Sequence, residues 1–141
     1  MRYAYPYELT PQPEGGFTIT FPDVPEAITQ GESEGEAAAM AEGALVTALS
    51  FYTDNAERLP HPSPTRSRPL AYVPPLVAAK LALHEAMLAA GLSNVALAQR
   101  LGIDEKAVRR LRDPLHNSRI DQIDAALRAL GKRMAIVVET A

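Results

Sequence analysis

The residues from Asn94 to Asp113, NVALAQRLGIDEKAVRRLRD, constrain this chain more than any other stretch, because their types meet the geometry of a helix-turn-helix. Ala98 falls where two helices cross closest, so only a small side chain fits there. Gly102, four residues later, falls at the turn, where a positive φ is cheap only for glycine. Leu97, Leu101, Ile103, Val108 and Leu111 supply the apolar positions expected to close both helices over a shared core. Asp104 is placed to cap the second helix. The remaining face of that helix is basic, with Lys106, Arg109, Arg110 and Arg112. Asn94 before it, and Ser118 and Arg119 after it, are placed for contacts to a phosphate backbone. A basic recognition helix implies a phosphate-lined partner, with DNA the first candidate. The bland alternative is a helical hairpin of some other fold with solvated arginines. Seven structural positions matching together with a basic face favour DNA.

The formal net charge of −3 hides an asymmetry. Residues 1–69 carry ten Asp/Glu against four Arg, a net of −6, while residues 70–141 carry seven acidic groups against ten basic ones, a net of +3. The basic half suits DNA; the acidic half would repel DNA and attract a basic protein. Two partners for one chain is the resulting expectation.

Cysteine is absent, which excludes a disulfide framework and thiolate metal sites and suits a reducing cytoplasm. The start, MRYAYPYELT, lacks the apolar stretch of a signal peptide, and no apolar run approaches the ~20 residues needed to span a bilayer. No membrane association is expected.

Pattern along the chain predicts an α+β organisation. Tyr3 to Leu9 reads as one strand, ended by TPQPEGG, and Phe17 to Phe21 as a second, with Gly15-Gly16 permitting a hairpin between them. FPDVPEA is a proline-bracketed turn, and Ala27 to Gln30 a third strand ending at Gly31. Ser33 and Glu36 form a capping box for a helix to about Ala56. Its apolar stripe, Met40, Ala41, Ala44, Leu45, Ala48, Leu49 and Tyr52, is expected to pack on the sheet. Leu59 to Pro75 holds six of the twelve prolines, so the boundary between halves is placed there, although LAYV (70–73) could still pair as an edge strand. Three segments result: 1–65, a linker over 66–80, and 81–141.

A helix from Leu76 to Ala90 closed by Gly91 comes next, and Ser93 or Asn94 caps the first helix of the DNA motif. Asp113-Pro114 ends the second helix. Ser118 or Asp121 opens a last helix through Leu130. The tail MAIVVET reads as a strand with no partner in its own subdomain. Pairing with its copy across a two-fold axis would supply one, making Ala135, Ile136, Val137 and Val138 a dimer seam.

No catalytic constellation emerges. His61, His84 and His116 lack i, i+4 ligand partners, and no nucleophile elbow or phosphate-cradling glycine loop is present. No metal, cofactor or catalytic residue is therefore assigned, and the chain reads as a binder.

Taken in order, these residues resemble the HicB family of antitoxins. The first half carries the resemblance in Tyr5-Pro6, Glu14-Gly15-Gly16-Phe17, Phe21-Pro22-Asp23 followed by Pro25, Thr29-Gln30-Gly31 and the helix capped by Ser33. The second half carries it in LAQRLGIDEKAVRRLRDP and LRALGKRMAIVVE. The resemblance implies a partial RNase H-like N-terminal domain that silences a HicA toxin, a small basic RNase, and a C-terminal domain that represses its own operon. For toxin contact, the exposed turn at Phe21, Pro22, Asp23 and Glu26 is the candidate. An RNase H-type nuclease would need carboxylates converging on two metal ions. The strands here offer only Glu8, and Glu34, Glu36 and Glu42 fall off the apolar stripe. The alternatives are a stand-alone regulator with a ligand-sensing N-terminal domain, or such a hydrolase carrying a DNA-targeting module.

Overall fold

Gly15 and Gly16, at φ +102° and +75°, turn the chain back on itself. Strand β2 (Glu8–Pro11) therefore pairs antiparallel with β3 (Phe17–Thr20), Leu9 opposite Ile19. The computed structural model describes residues 3–141. β3 pairs in turn with β4 (Ile28–Gly31), Ile19 opposite Thr29, giving a three-stranded sheet of order β2-β3-β4.

The N-terminal run expected as one strand is two. β1 (Ala4–Pro6) pairs antiparallel with β5 (Leu70–Tyr72), Tyr5 opposite Ala71, and leaves the first sheet altogether. The break falls at Pro6-Tyr7, where proline has no N–H to donate and the Tyr7 N–H donates to the Pro69 carbonyl at 3.0 Å. The LAYV segment thus pairs as expected, and the proline-rich stretch around it is fastened down. Leu59 is buried, the Tyr5 hydroxyl donates to the Pro60 carbonyl at 2.7 Å, and Ser63 donates to Asp23.

α1 (Glu34–Asp54) covers the sheet. Ser33 Oγ accepts from the Glu36 N–H at 3.2 Å, the expected first limb of the capping box. Its buried face runs through Ala37, Ala41, Leu45, Ala48 and Leu49, so the alanines do bring helix and sheet together. A Cβ on Gly31 would lie 2.8 Å from the Ala37 Cα. Met40, expected in that stripe, is 42% exposed, because the sheet ends at β4 and Met40 overhangs its edge. Tyr3, Tyr5, Tyr7, Ile19, Phe21 and Val24 complete this first core with Val73, Val77 and Leu81.

α2 (Pro75–Ala90) begins with proline in its first turn and ends at Gly91, φ +63°. Val77 and Leu81 enter the first core; Ala79, Leu83 and Met87 enter a second, shared with α3 (Asn94–Leu101), α4 (Glu105–Arg112) and α5 (Ile120–Ala129). One helix therefore joins both cores. α5 starts without a side-chain cap: Ser118 is taken by Lys80 and Asp121 by Arg119.

The expected strand at residues 134–140 does not form within the single chain. Among the described residues no strand pairs with it, and a ladder needs a second strand. Ile136, Val137 and Val138 are 75%, 76% and 92% exposed. Among the described residues no single helix is long and apolar enough to cross a membrane.

Candidate functional site

The α3–α4 pair is built by local chemistry. Ser93 Oγ caps α3 by accepting from the Ala96 N–H at 3.1 Å. Gly102 takes the left-handed conformation at φ +65°, as the turn requires. Asp104 Oδ1 accepts from the Lys106 N–H at 3.4 Å. Leu97, Ala98, Val108 and Leu111 are buried. Ile103, expected in the core, is 39% exposed. It sits in the turn, where its backbone N–H, donating to the Ala98 carbonyl at 3.1 Å, does the closing.

The outer face of α4 presents Lys106, Arg109 and Arg110, all exposed. Arg109 Nε meets Glu105 Oε1 at 2.7 Å, an i, i+4 pair too exposed to hold the arginine firmly. Arg119 is also exposed and pairs with Asp121 at 2.9 Å.

Three other expected contact residues are hydrogen-bonded within the fold, Arg112 buried and Asn94 and Ser118 half-buried. Arg112 is buried: Nη1 donates to Asn94 Oδ1 at 2.7 Å, and Nη2 to His84 Nδ1 at 2.6 Å. His84, itself fully buried, lies 2.7 Å through Nε2 from the Glu57 carbonyl. A carbonyl only accepts, so the partners assign the proton to Nε2 and leave Nδ1 as a lone pair for Arg112. Burial, with the adjacent guanidinium adding to it, holds His84 below the usual imidazole range. Burial likewise lowers Arg112, whose Nε has no hydrogen-bond partner among the described residues.

Ser118, the third, accepts from Lys80 Nζ at 2.6 Å. The same ammonium donates to the Arg110 carbonyl at 2.6 Å, at the C-terminal end of α4, where that carbonyl also accepts from the Asp113 N–H at 3.3 Å. Burial pulls Lys80 down to about 8, with the Asp113 carboxylate opposing. Lys80 and His84 were not singled out from sequence as parts of this site. They stand four apart in the otherwise apolar helix PLVAAKLALHEAMLAA, and that spacing is the signal that marks them.

The turn proposed for protein contact is partly structural. Phe21 is buried against the Tyr7 ring, centroids 5.7 Å apart. The Asp23 carboxylate accepts from the Ser63 N–H and hydroxyl at 2.9 and 2.8 Å. Pro22 and Glu26 are exposed, and Glu26 accepts from the Tyr52 hydroxyl at 2.7 Å. Burial and that carboxylate push Tyr52 up to about 12. Among the described residues no three His, Asp or Glu side chains gather to hold a metal ion.

Residues 4–82 match the family described as HicB_like antitoxin of bacterial toxin-antitoxin system. Antitoxin HicB of Escherichia coli K12 is 42% identical over 135 residues, covering 95% of this chain and 98% of that protein. Antitoxin HicB 2 of Photorhabdus laumondii is 41% identical over 137 residues, covering 97% and 96%. Antitoxin HicB of Pseudomonas fluorescens is 35% identical over 141 residues, covering 99% and 96%. The resemblance therefore runs through both cores and beyond α5, and this chain belongs to the HicB-like family of antitoxins of bacterial toxin–antitoxin systems.

Proposed function

We propose that this antitoxin neutralises a HicA-type toxin through its acidic N-terminal part and represses its own operon by binding operator DNA through α3 and α4 as a helix-turn-helix. It acts by binding, without catalysis, in the cytoplasm. Residues 1–65 form the core of the toxin-binding part, in which three antiparallel strands followed by a covering helix support a partial RNase H-like reading. Residues 66–80 complete the core of that part with β5, Val73 and Val77 and join it to the DNA-binding part, 81–141. A homodimer, or a higher oligomer, forms by pairing of Ala135 to Val138 across a two-fold axis, and it places two α4 helices on two half-sites.

The observation that carries the DNA reading is the outward face of α4. Lys106, Arg109 and Arg110 project from a helix whose inner side is locked into the second core. Arg109 and Arg110 are placed to read bases, Lys106 and Arg119 to meet phosphates. Asn94, Ser118 and Arg112 hold the unit in shape. In a gel-shift series, Arg109→Ala and Arg110→Ala should each cost roughly 1–3 kcal/mol on the operator. Unchanged affinity in both variants rejects the assignment.

A further inference from the structure

Beside the open edge of β4 runs a groove of about 490 Å³, walled by Glu26, Ile28 and Thr29 on one side and by Met40, Gly43 and Phe51 of α1 on the other. β4 pairs only with β3, so its outer edge is unused among the described residues. Three apolar side chains of the walls are uncovered: Ile28 is 63% exposed, Phe51 49% and Met40 42%. Isolated exposed apolar side chains are ordinary, but three around one groove on a sheet edge mark a contact surface.

Charge selects the occupant. Residues 3–57 contain ten Asp/Glu and no Lys, Arg or His. Helical three- and four-residue steps from Met40 and Phe51 place the exposed Glu36 and Asp54 at the two ends of the same stripe. Glu26 stands at the wall, its carboxylate held by the Tyr52 hydroxyl at 2.7 Å. A nucleic acid, or the same unit of a second copy, would bring like charge to this surface and be repelled.

We infer that the groove is the docking site for the toxin, by a route that rests on the antitoxin reading above. A cationic toxin lays an extended segment along β4 as an added strand and sets an apolar side chain between Ile28, Met40 and Phe51. Its lysines or arginines meet Glu26, Glu36 and Asp54. Gly43 forms the floor. A Cβ built there meets nothing within 4 Å, so the space above it is open although glycine is a poor helix former.

The test uses the full chain and a catalytically inactive variant of a HicA-type toxin, a basic protein, with affinity measured by calorimetry. Gly43→Leu fills the groove and Ile28→Lys puts a cation on its wall; neither touches α4. Each should weaken toxin binding by about tenfold or more, while operator binding and melting temperature stay at wild-type values. Gly43→Ala, which adds one methyl to open space, should retain binding and confirms that the helix tolerates change there. Amides of Ile28–Gly31 should gain exchange protection when the toxin is added to the wild type. Wild-type affinity in both blocking variants, with no new protection at β4, overturns the groove while leaving the antitoxin reading intact. Failure of the wild-type chain to bind the basic protein overturns both. Loss of self-association in Ile28→Lys with unchanged toxin affinity would give the groove to a second copy and overturn the proposal.

Discussion

Arg112 Nη2 lies 2.6 Å from His84 Nδ1, a buried cation donating to a ring nitrogen that must carry no proton. Because His84 also donates to the Glu57 carbonyl, three hydrogen bonds link the segment after α1 through α2 and α4 to Asn94 at the start of α3. The end of α4 is thereby tied to α2, to α3 and to the segment that follows α1.

This arrangement makes stability depend on pH. Folding lowers the proton affinity of His84, so the unfolded chain binds that proton more readily. The residue's contribution is complete above the unfolded pKa near ~6.5 and is lost as pH falls below it. The urea midpoint should drop from pH 7 to pH 5. His84→Gln, which keeps an amide donor toward Glu57 without a titrating ring, should drop less. Parallel profiles for the two proteins would show that the folded ring does not stay neutral.

Lys80 adds a second window on the alkaline side. Its pKa falls from 10.5 to about 8 on folding. The unfolded chain therefore holds the proton between those values, and stability from this residue rises with pH across them and is lost as pH falls through about 8. Lys80→Met should flatten the wild-type rise measured by urea unfolding from pH 8 upward. A slope retained in Lys80→Met would assign the rise to other groups.

At Arg112 the two obvious replacements should differ. Arg112→Ala removes the guanidinium, strands the acceptors on His84 and Asn94, and opens space in the second core. The hydrogen bonds alone are worth roughly 1.5–3 kcal/mol where a charged partner is involved. Arg112→Met removes the buried charge but keeps a stem of similar bulk, so it should lose less. Denaturant unfolding that ranks Met below Ala would contradict this.

Gly31 is where α1 and the sheet touch. Gly31→Ala places a methyl 2.8 Å from the Ala37 Cα, and backbone must move to admit it. Overpacking of this kind costs typically ~1–3 kcal/mol. A melting temperature equal to wild type would mean that α1 shifts freely on the sheet.

The tail should separate folding from assembly. Met134 packs against the second core, whereas Ala135 onward is exposed. A chain ending at Met134 should keep its secondary structure and melting behaviour, yet sediment as a monomer and bind operator DNA more weakly. A dimer that survives the truncation places its seam elsewhere.

Ending the first part at residue 65 would remove β5 and Val73, Val77 and Leu81 from the first core. A fragment ending at Ala82 should therefore neutralise the toxin in co-expressing cells without binding DNA, whereas one ending near Ser67 should be poorly folded. Proteolysis rates compare the two fragments directly, and equal resistance would show that β5 is dispensable.

What was legible in the sequence was whatever neighbours in the chain decide. The Gly15-Gly16 hairpin, the caps at Ser33 and Asp104, the left-handed turn at Gly102 and the alanine face of α1 all follow from interactions within a few residues. Edge pairing of LAYV was legible too, because β-branched and aromatic residues between prolines have few other uses. Charge separation needed no structure at all.

The three-dimensional structure decided what depends on distant partners. Val108, Leu111 and Arg112 share one helical stripe, so periodicity places Arg112 inward while its charge argues for solvent. Only His84, 28 residues away, and Asn94, 18 away, resolve that conflict, because they supply the buried acceptors a guanidinium needs to leave water. The tail shows the complementary case. Its β-branched residues state a preference for extended pairing, but a strand exists only where a second backbone offers a ladder of hydrogen bonds, and no described strand of the single chain pairs there.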